Sequence, residues 1–433
     1  MIYNETVECA DAATLAGIQL NHLRRLIPYV YAHAPFYRRK LDEAGVRPED
    51  IRSLEDVRRL PFTVKDDLRD HYPFGLFSQP IEQVSEIHVS SGTTGNPTVV
   101  GYTKEDLQLW GSVMARALAC AGAAPGDMIQ IAYGYGLFTG GLGAHYGALE
   151  LGLTILPMSS GQTKRQLKLM QDFRPRILAC TPSYALFMRE DAKEMGLDPR
   201  QSSWEIGVFG AEPWSEPMRE EIQKTWNLCA TDIYGLSEII GPGVAQECPH
   251  RCGLHLFADV FYPEIIHPDT GEPVPDGEYG ELVITTLTKR ALPLLRYRTR
   301  DLVAIHREKC ACGRTLPRIS KIKGRTDDMI IVRGINVFPS QIEHVLLGIK
   351  GIEPHYQLVV SRAPGGLDDL EVRVEVEERF FSDEVKALQA LSERIRREIE
   401  STLGIGAKVK LVEPKTIERS IGKAKRVVDQ RHL

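Results

Sequence analysis

Apolar and polar residues follow two different periods along the chain. In residues 21–45, apolar residues recur at mixed spacings of three and four, which predicts a helix, and Pro35 interrupts the pattern. Short apolar runs separated by helical stretches follow at residues 129–132, 153–156, 177–179, 206–209 and 229–233. Because strands buried on both faces read as short apolar runs, this part of the chain predicts an α/β fold with largely parallel strands.

The pattern becomes β-rich from Tyr279 onward, and a compact tail begins after Gly324-Arg325-Thr326-Asp327-Asp328. In the tail we predict a strand at 329–332, a helix at 340–347, strands at 356–360 and 370–376, a helix at 383–403 and a strand at 408–412. This order describes a small α+β unit that is large enough to be a separate domain. We therefore predict a large domain of residues 1–327, with parallel-rich sheets and a β-rich subdomain, and a C-terminal domain of residues 328–433.

Composition narrows the kind of partner that the chain binds. The 433 residues include 53 Lys and Arg against 58 Asp and Glu, a formal charge of −5, so neither nucleic acid nor an anionic membrane is an expected partner. The N-terminal residues lack the pattern of a secretory signal, and no apolar run approaches the roughly 20 residues of a membrane span. Eight cysteines are few for this length. A reducing cytoplasm is the expected compartment.

A loop rich in hydroxyl groups is the sharpest chemical signal. It reads Ser90-Ser91-Gly92-Thr93-Thr94-Gly95-Asn96-Pro97 and follows a strand-like run at 84–89. The glycines permit backbone angles that turn N–H groups inward, and the hydroxyls add donors, which suits a polyphosphate. The loop is not a Walker A motif, because no Gly-Lys-Ser/Thr follows. The alternative interpretation is a surface turn.

Five further motifs follow in order: Gly210-Ala211-Glu212-Pro213, Tyr234-Gly235-Leu236-Ser237-Glu238, Tyr297-Arg298-Thr299-Arg300-Asp301, Gly324-Arg325-Thr326-Asp327-Asp328 and Gly422-Lys423-Ala424. With the hydroxyl loop they resemble the acyl- and aryl-coenzyme A synthetases, the adenylate-forming superfamily. The 131–148 region and the strings GAEPW, YRTRD and RGINVFPSQIE resemble the phenylacetate–coenzyme A ligases in particular. The resemblance extends from about Tyr31 to the C-terminus.

The resemblance implies a site for ATP. The residues expected to hold the phosphates belong to the hydroxyl loop: Ser91, Gly92, Thr93, Thr94 and Gly95. Those expected around the adenine are Ala211, Glu212, Pro213, Asp232 near the exocyclic amine, and Tyr234 with Gly235 against the ring. Asp301 is expected to accept both ribose hydroxyls, and Arg325 to contact the nucleotide. Glu238 is the expected Mg²⁺ ligand, since a cation that bridges phosphates needs few protein carboxylates.

Each of these residues also has a structural interpretation. Asp301 is explained equally by a salt bridge within an Arg-rich segment, and Tyr234 by core packing. Glu238 suits the start of a helix, where the dipole favours an acid. Lys423 suits a solvated tail. In addition, position 96 is Asn where many relatives carry Lys, so a positive charge near the leaving pyrophosphate is missing there, and we expect weaker phosphate binding.

The pocket for the acid is expected in the segment that holds Tyr135, Gly136 and Phe138. Glycine lets the backbone approach a flat group and the aromatic rings supply walls. The alternative is that the small residues of this segment serve helix packing.

Clustered cysteines and histidines predict a second site. Cys310-Ala-Cys312 resembles a metal knuckle, and the segment 248–255 offers Cys248, His250, Cys252 and His255. A tetrahedral Zn²⁺ needs four ligands, and spacing alone does not choose among six. The family resemblance favours Cys248, His255, Cys310 and Cys312 around a structural Zn²⁺. Free reduced cysteines are the alternative.

The resemblance implies a two-step ligase that forms an acyl-adenylate from an aryl acid, most simply phenylacetate, and transfers the acyl group to coenzyme A. Lys423 is the expected catalytic cation of the first step, and the C-terminal domain is expected to rotate about Asp327 between steps. Another aryl or indole acid, an adenylation protein that loads a carrier protein, and a non-catalytic adenylate-binding protein are the alternatives. A homodimer is compatible with the resemblance.

Overall fold

The computed structural model describes residues 1–90, 96–326, 330–332, 335–362, 368–377, 385–418 and 426–431. The α-helices are α1 (Glu5–Glu8), α2 (Ala12–His33), α3 (Pro35–Glu43), α4 (Lys65–Asp70), α5 (Lys104–Ala121), α6 (Thr139–Leu151), α7 (Thr163–Phe173), α8 (Pro182–Glu194), α9 (Glu216–Trp226), α10 (Pro339–Leu347) and α11 (Val385–Leu403).

The strands of the first half are β1 (Glu86–Val89), β2 (Val99–Tyr102), β3 (Met128–Ile131), β4 (Thr154–Pro157), β5 (Ile177–Cys180), β6 (Ile206–Gly210), β7 (Cys229–Leu236), β8 (Gly241–Glu247), β9 (Leu254–Leu256) and β10 (Phe261–Ile266). Those that follow are β11 (Gly280–Thr286), β12 (Tyr297–Val303), β13 (Ile305–His306), β14 (Arg318–Ile319), β15 (Gly324–Arg325), β16 (Ile330–Val332), β17 (Ile335–Val337), β18 (Ile352–Arg362), β19 (Asp368–Val376), β20 (Lys408–Val412) and β21 (Val427–Asp429).

The largest sheet carries the predicted parallel strands. Within the described residues its order is β13-β14-β9-β8-β7-β6-β5-β3-β4. The five strands β3 to β7 run parallel to one another, and the pairing becomes antiparallel between β7 and β8. Ligands of open α/β sheets bind beyond the carboxyl ends of parallel strands, so the ends of β3, β6 and β7 are where the site is expected.

The parallel strands separate two hydrophobic cores. In β5, Ile177 and Ala179 belong to one core and Leu178 and Cys180 to the other. Helices α5 and α6 cover the first face, and α7, α8 and α9 contribute to the second. Because β5 and β6 are buried on both faces, their sequences read as short apolar runs, and the α/β prediction is confirmed.

The tail has a core of its own, formed by residues between Ile330 and Ala407. Around it, β20, β19, β18 and β21 form one sheet, with α10 and α11 packed beside it. The predicted strand at 408–412 and the two predicted helices are confirmed within about two residues. The predicted boundary at Asp327 lies outside the described residues and stays a prediction.

Two expectations were wrong in extent. The predicted helical segment and its interruption at Pro35 are confirmed, since α2 ends at His33 and α3 begins at Pro35, but α2 begins earlier than predicted, at Ala12. The residue before proline is disfavoured in the helical region, so the break falls at Ala34. The β-rich part begins at β8 and not at Tyr279, because β8, β9 and β10 precede that residue.

None of the helices in the described residues combines the length and the apolar character that crossing a membrane requires.

Candidate active site

The turn after β6 is built for close approach to its neighbours. A Cβ atom at Gly210 would lie 2.3 Å from the carbonyl oxygen of Ile233, so only glycine fits there. Ala211 follows with a φ of 71°. Oε1 of Glu212 accepts a 2.7 Å hydrogen bond from the backbone N–H of Ser183 at the start of α8. The predicted adenine-binding turn is therefore anchored between β7 and α8.

Tyr234, Asp301 and Arg325 come together from three separate motifs. The Tyr234 hydroxyl donates a 2.6 Å hydrogen bond to Oδ2 of Asp301, and Nη1 of Arg325 lies 3.0 Å from Oδ1. Burial, followed by the charge of Asp301, raises the pKa of Tyr234. Asp301 does form the salt bridge that its Arg-rich surroundings suggested, and it still sits at the junction of the predicted nucleotide residues.

Asp232 is buried in β7 beside that junction. Burial raises the pKa of its carboxyl to about 6. Its backbone N–H donates to Glu247, whose carboxylate is also held by Arg219 at 2.5 Å. Burial removes the Asp232 carboxyl from water. An amine placed near it would therefore find a strong acceptor.

Glu238 lies in the turn between β7 and β8, so the helix-start interpretation of this residue is wrong. Its side chain is buried, and Oε1 is 3.4 Å from Nζ of Lys65. Below the turn, the buried ammonium group of Lys289 donates to the carbonyl oxygen of Ile239 at 2.9 Å, and burial lowers its pKa to about 8. Lys289 thus fixes the backbone that presents Glu238.

Sequence reasoning missed Lys65 and Lys289. Lys65 is the first residue of α4, where the helix dipole disfavours a cation. A cation at such a position is a signal by which sequence reasoning could have found it. Lys289 follows β11 and carries no comparable signal.

The segment after β3 contains the predicted acid-pocket residues. Tyr135 and Nδ1 of His145 are 3.2 Å apart, and Gly136 has a φ of 121°, which other residues rarely adopt. Phe138 is partly exposed and precedes α6. Farther along α6, a Cβ atom at Gly143 would lie 2.6 Å from Trp110, so that glycine serves helix packing. The packing interpretation therefore applies to Gly143, and the acid pocket at Tyr135, Gly136 and Phe138 stays a prediction.

Several predicted residues lie outside the described residues: Ser91, Gly92, Thr93, Thr94, Gly95, Asp327 and Lys423. The chain on either side of the hydroxyl loop is described. Val89 pairs with Val99 across β1 and β2, and the backbone N–H of Ser90 donates to the carbonyl oxygen of Thr98 at 3.0 Å.

A cleft of about 480 Å³ separates the nucleotide residues from the tail. Glu212, Pro213 and Arg325 line it from one side, and Glu343 and Arg426 line it from the other.

The tail contacts the large domain beside this cleft. Oε1 of Glu343 accepts a 3.0 Å hydrogen bond from the backbone N–H of Ser215. Arg189 on α8 forms ion pairs with both Glu221 and Glu353. The two domains are therefore in direct polar contact.

The favoured cysteine and histidine set converges on one point. One ligand atom from each of Cys248, His255, Cys310 and Cys312 lies within 4.8 Å of the others. Sγ of Cys248 is 3.8 Å from Sγ of Cys310, and Sγ of Cys312 is 3.4 Å from Nε2 of His255. The rival Cys252 is exposed, although its Sγ is 3.4 Å from that of Cys310.

Comparison with known proteins identifies the family. Residues 49–288 match the family model described as AMP-binding enzyme, and residues 334–431 match the AMP-binding enzyme C-terminal domain. A phenylacetate-coenzyme A ligase of Thermus thermophilus is 54% identical, with 100% of both chains covered, and one of Escherichia coli is 49% identical over 99% of this chain and 98% of its own. The chain belongs to the phenylacetate–coenzyme A ligases. Enzymes of this family are AMP-forming acid–thiol ligases that use ATP and coenzyme A.

A solved ligase extends the similarity to the domain arrangement. A 2-hydroxyisobutyryl-CoA ligase in the postadenylation state superposes with a TM-score of 0.93 at 30% identity, covering 99% of this chain and 92% of that chain. The same enzyme in the thioesterification state, with coenzyme A, superposes with a TM-score of 0.73 at 32% identity over 98% and 92% of the two chains.

Proposed function

We propose that this phenylacetate–coenzyme A ligase homologue activates phenylacetate with ATP, releases pyrophosphate, and transfers the acyl group from the adenylate to coenzyme A. Full-length similarity to ligases of that name supports the acid and the reaction. The proposed nucleotide site is supported by the contacts of Asp301, whose two carboxylate oxygens bind Tyr234 and Arg325 from two other motifs.

In the first step the acid carboxylate attacks the α-phosphorus, the new carboxyl–phosphorus bond forms, and the bond to pyrophosphate breaks with its electron pair. The carboxylate is already a nucleophile, so no general base is needed and the site acts by positioning and charge stabilisation. Asp232 would accept from the adenine amine and Asp301 from the ribose. Glu238 would hold Mg²⁺, which neutralises phosphate charge. Lys423 is the cation proposed for the reacting phosphate oxygens.

We infer that the domain arrangement described here belongs to the adenylate-forming half of the cycle. It superposes better on the postadenylation state of the related ligase than on its thioesterification state. Transfer to coenzyme A would then require the Ser215–Glu343 and Arg189–Glu353 contacts to break. A rotation about Asp327 would remove Lys423 from the site and present another face of the tail.

We propose a structural Zn²⁺ at Cys248, His255, Cys310 and Cys312. Tetrahedral Zn²⁺ with Zn–S near 2.3 Å and Zn–N near 2.0–2.1 Å places ligand atoms about 3.5–3.8 Å apart. The observed separations of 3.8 and 3.4 Å fit that spacing. The ion would join β8, β9 and the loop after β13. Its role would be to stabilise the fold, since three of the four ligands are buried.

The test is acid-dependent AMP release with MgATP and coenzyme A. Phenylacetate should give the highest kcat/KM in a panel with hydroxyphenylacetate, indoleacetate, benzoate and short alkyl acids. Replacing coenzyme A with a pantetheinylated carrier protein as the acceptor tests the alternative that the enzyme loads a carrier protein. Preference for another acid would reassign the substrate, and AMP release that needs the carrier would reassign the acceptor. Light scattering of the purified chain tests the homodimer.

A further inference from the structure

Lys65 lies beside the carboxylate proposed to hold Mg²⁺. Its ammonium nitrogen is 3.4 Å from Oε1 of Glu238, and its side chain is 38% exposed while that of Glu238 is 6% exposed. A lysine ammonium carries three N–H donors. Among the described residues, Glu238 is the one carboxylate with which Lys65 pairs. Donor capacity therefore remains for a ligand that enters from the exposed side.

The backbone on both sides of Lys65 is held in place. The N–H of Thr63 donates to the carbonyl oxygen of Arg296 at 3.1 Å, which ties this segment to the start of β12. The N–H of Val64 donates to Oδ2 of Asp67 at 2.9 Å and closes the first turn of α4. The Lys65 side chain therefore extends from a backbone that is fixed beside Glu238.

Stability gives little reason for a lysine at this position. The dipole of α4 disfavours a cation in its first turn. The Lys65 side chain is 38% exposed, so water screens its pairing with Glu238. The location next to Glu238 and the exposure of the amine are instead what binding an anion requires.

Helix α4 also adjoins the end of the hydroxyl loop. Nδ2 of Asn96, the first described residue after that loop, donates to the carbonyl oxygen of Arg69 at 3.4 Å. Position 96 is Asn, so the chain has no cation at the end of the loop. Of the two cations on α4, Arg69 pairs with Asp66, whereas Lys65, one helical turn earlier, reaches Glu238.

We propose that Lys65 binds the β- and γ-phosphates of ATP and the departing pyrophosphate, and so supplies the positive charge that Asn96 does not. This inference rests on the proposed function, because it takes Glu238 as the Mg²⁺ ligand. A Mg²⁺ ion held by Glu238 would compete with Lys65 for the carboxylate, and the Lys65 ammonium would then be available to phosphate oxygens. As the bond from the α-phosphorus to pyrophosphate breaks, its electron pair goes to the leaving oxygen, and Lys65 stabilises the added charge there.

The first experiment measures binding of MgATP and of magnesium pyrophosphate by calorimetry, without acid, in wild type and Lys65→Met. A hydrogen bond to a charged group is worth about 1.5–3 kcal/mol, so both Kd values should rise about tenfold to hundredfold. Binding of AMP, which has no β-phosphate, should change less than twofold. Lys168→Met is the matched control, since Lys168 forms an ordinary exposed pair with Asp172 on α7. Equal Kd values for wild type and Lys65→Met would overturn the inference.

The second experiment separates phosphate contact from a role exerted through Glu238. In the Asn96→Lys background, Lys65→Met should lose much less pyrophosphate affinity than in wild type, because the loop now carries its own cation. In the Glu238→Gln background, Lys65→Met should still weaken pyrophosphate binding. If Lys65→Met does not weaken pyrophosphate binding further in the Glu238→Gln background, Lys65 acts only as the partner of Glu238 and the inference is wrong. A wild type that binds MgATP but turns over no aryl acid would contradict the proposed function and leave the Lys65 result standing.

Discussion

The Tyr234 hydroxyl donates its hydrogen bond to Oδ2 of Asp301 across 2.6 Å and thereby joins two sheets. Tyr234 lies in β7 of the large sheet, and Asp301 lies in β12 of the β10-β11-β12-β15 sheet. Both side chains are buried, so the bond fixes the carboxylate against rotation. If Asp301 accepts the ribose hydroxyls, Tyr234 sets the orientation in which the carboxylate meets them.

Tyr234→Phe removes the donor and leaves the buried carboxylate with one partner fewer. We expect the Kd for ATP to rise about fivefold to twentyfold, since leaving a buried acceptor unsatisfied costs roughly 1–2 kcal/mol. Calorimetric titration with ATP measures this. Tyr184→Phe is the control, because its hydroxyl donates to the Gly161 carbonyl oxygen and the variant should lose stability with little change in ATP affinity. Equal effects of the two variants on ATP binding would mean that Asp301 is not a nucleotide contact.

Asp232 should make folding stability depend on pH. Its folded pKa of about 6 is raised by burial above the ordinary value of 3.8, so the native state holds the proton more tightly than the unfolded state. Stability from this group is complete below pH 3.8 and is lost as the pH rises through 6. The side chain of Asp232→Asn stays neutral at every pH. The free energy of unfolding of this variant, relative to that of wild type, should therefore increase by about 1 kcal/mol as the pH rises from 5 to 7.

Urea unfolding of both proteins at several pH values measures that difference. Asp276→Asn, at an exposed position, should show no such trend. ATP affinity of wild type should rise over the same pH range if the ionised carboxylate accepts from the adenine amine. A stability difference that does not vary with pH would show that Asp232 does not titrate there.

The sequence predicted elements that depend on neighbouring residues and on motif order. Strands β5 to β7 were recognised because each is a short apolar run, and Asp232, Tyr234, Asp301 and Arg325 because their motifs occur in a known order. Contacts between distant segments carry no such local pattern. Lys65 meets Glu238 across the fold, and the surroundings that bury Lys289 come from residues far from it in the chain. Gly143 needs Trp110 as its neighbour, which only the packing of α5 on α6 determines.

Lys423→Ala should impair adenylate formation far more than transfer from preformed adenylate to coenzyme A. The loss of one charge donor to a reacting oxyanion typically slows a reaction about 10²–10³-fold. Pyrophosphate exchange reports the first step, and thioester formation from synthetic acyl-adenylate reports the second. Lys410→Ala, in β20 of the same domain, is a control that should leave both steps intact. Equal losses in the two assays would remove Lys423 from the first step.

Cys312→Ser should lower zinc content and thermal stability together. Cys312 belongs to a loop that also holds the N-terminal segment, because Nε of Arg314 lies 2.6 Å from Glu8 and Nη2 donates to the carbonyl oxygen of Met1 at 2.7 Å. Release of the metal would free this loop and the segment at once. The loop follows β13 at the edge of the large sheet, whereas β6 and β7 lie in its interior, so ATP affinity per folded molecule should change little.

Elemental analysis of protein purified without chelator gives the zinc content, with about one ion per chain expected from a four-ligand site. Cys252→Ser is the matched control, since that exposed thiol lies outside the group of four and the variant should keep its zinc. Loss of zinc from Cys252→Ser, with zinc retained in Cys312→Ser, would show that Cys252 and not Cys312 is the zinc ligand. Zinc-free protein with all eight cysteines titrating as free thiols would show that the four side chains meet without a metal. In that case chelator would leave the melting temperature unchanged.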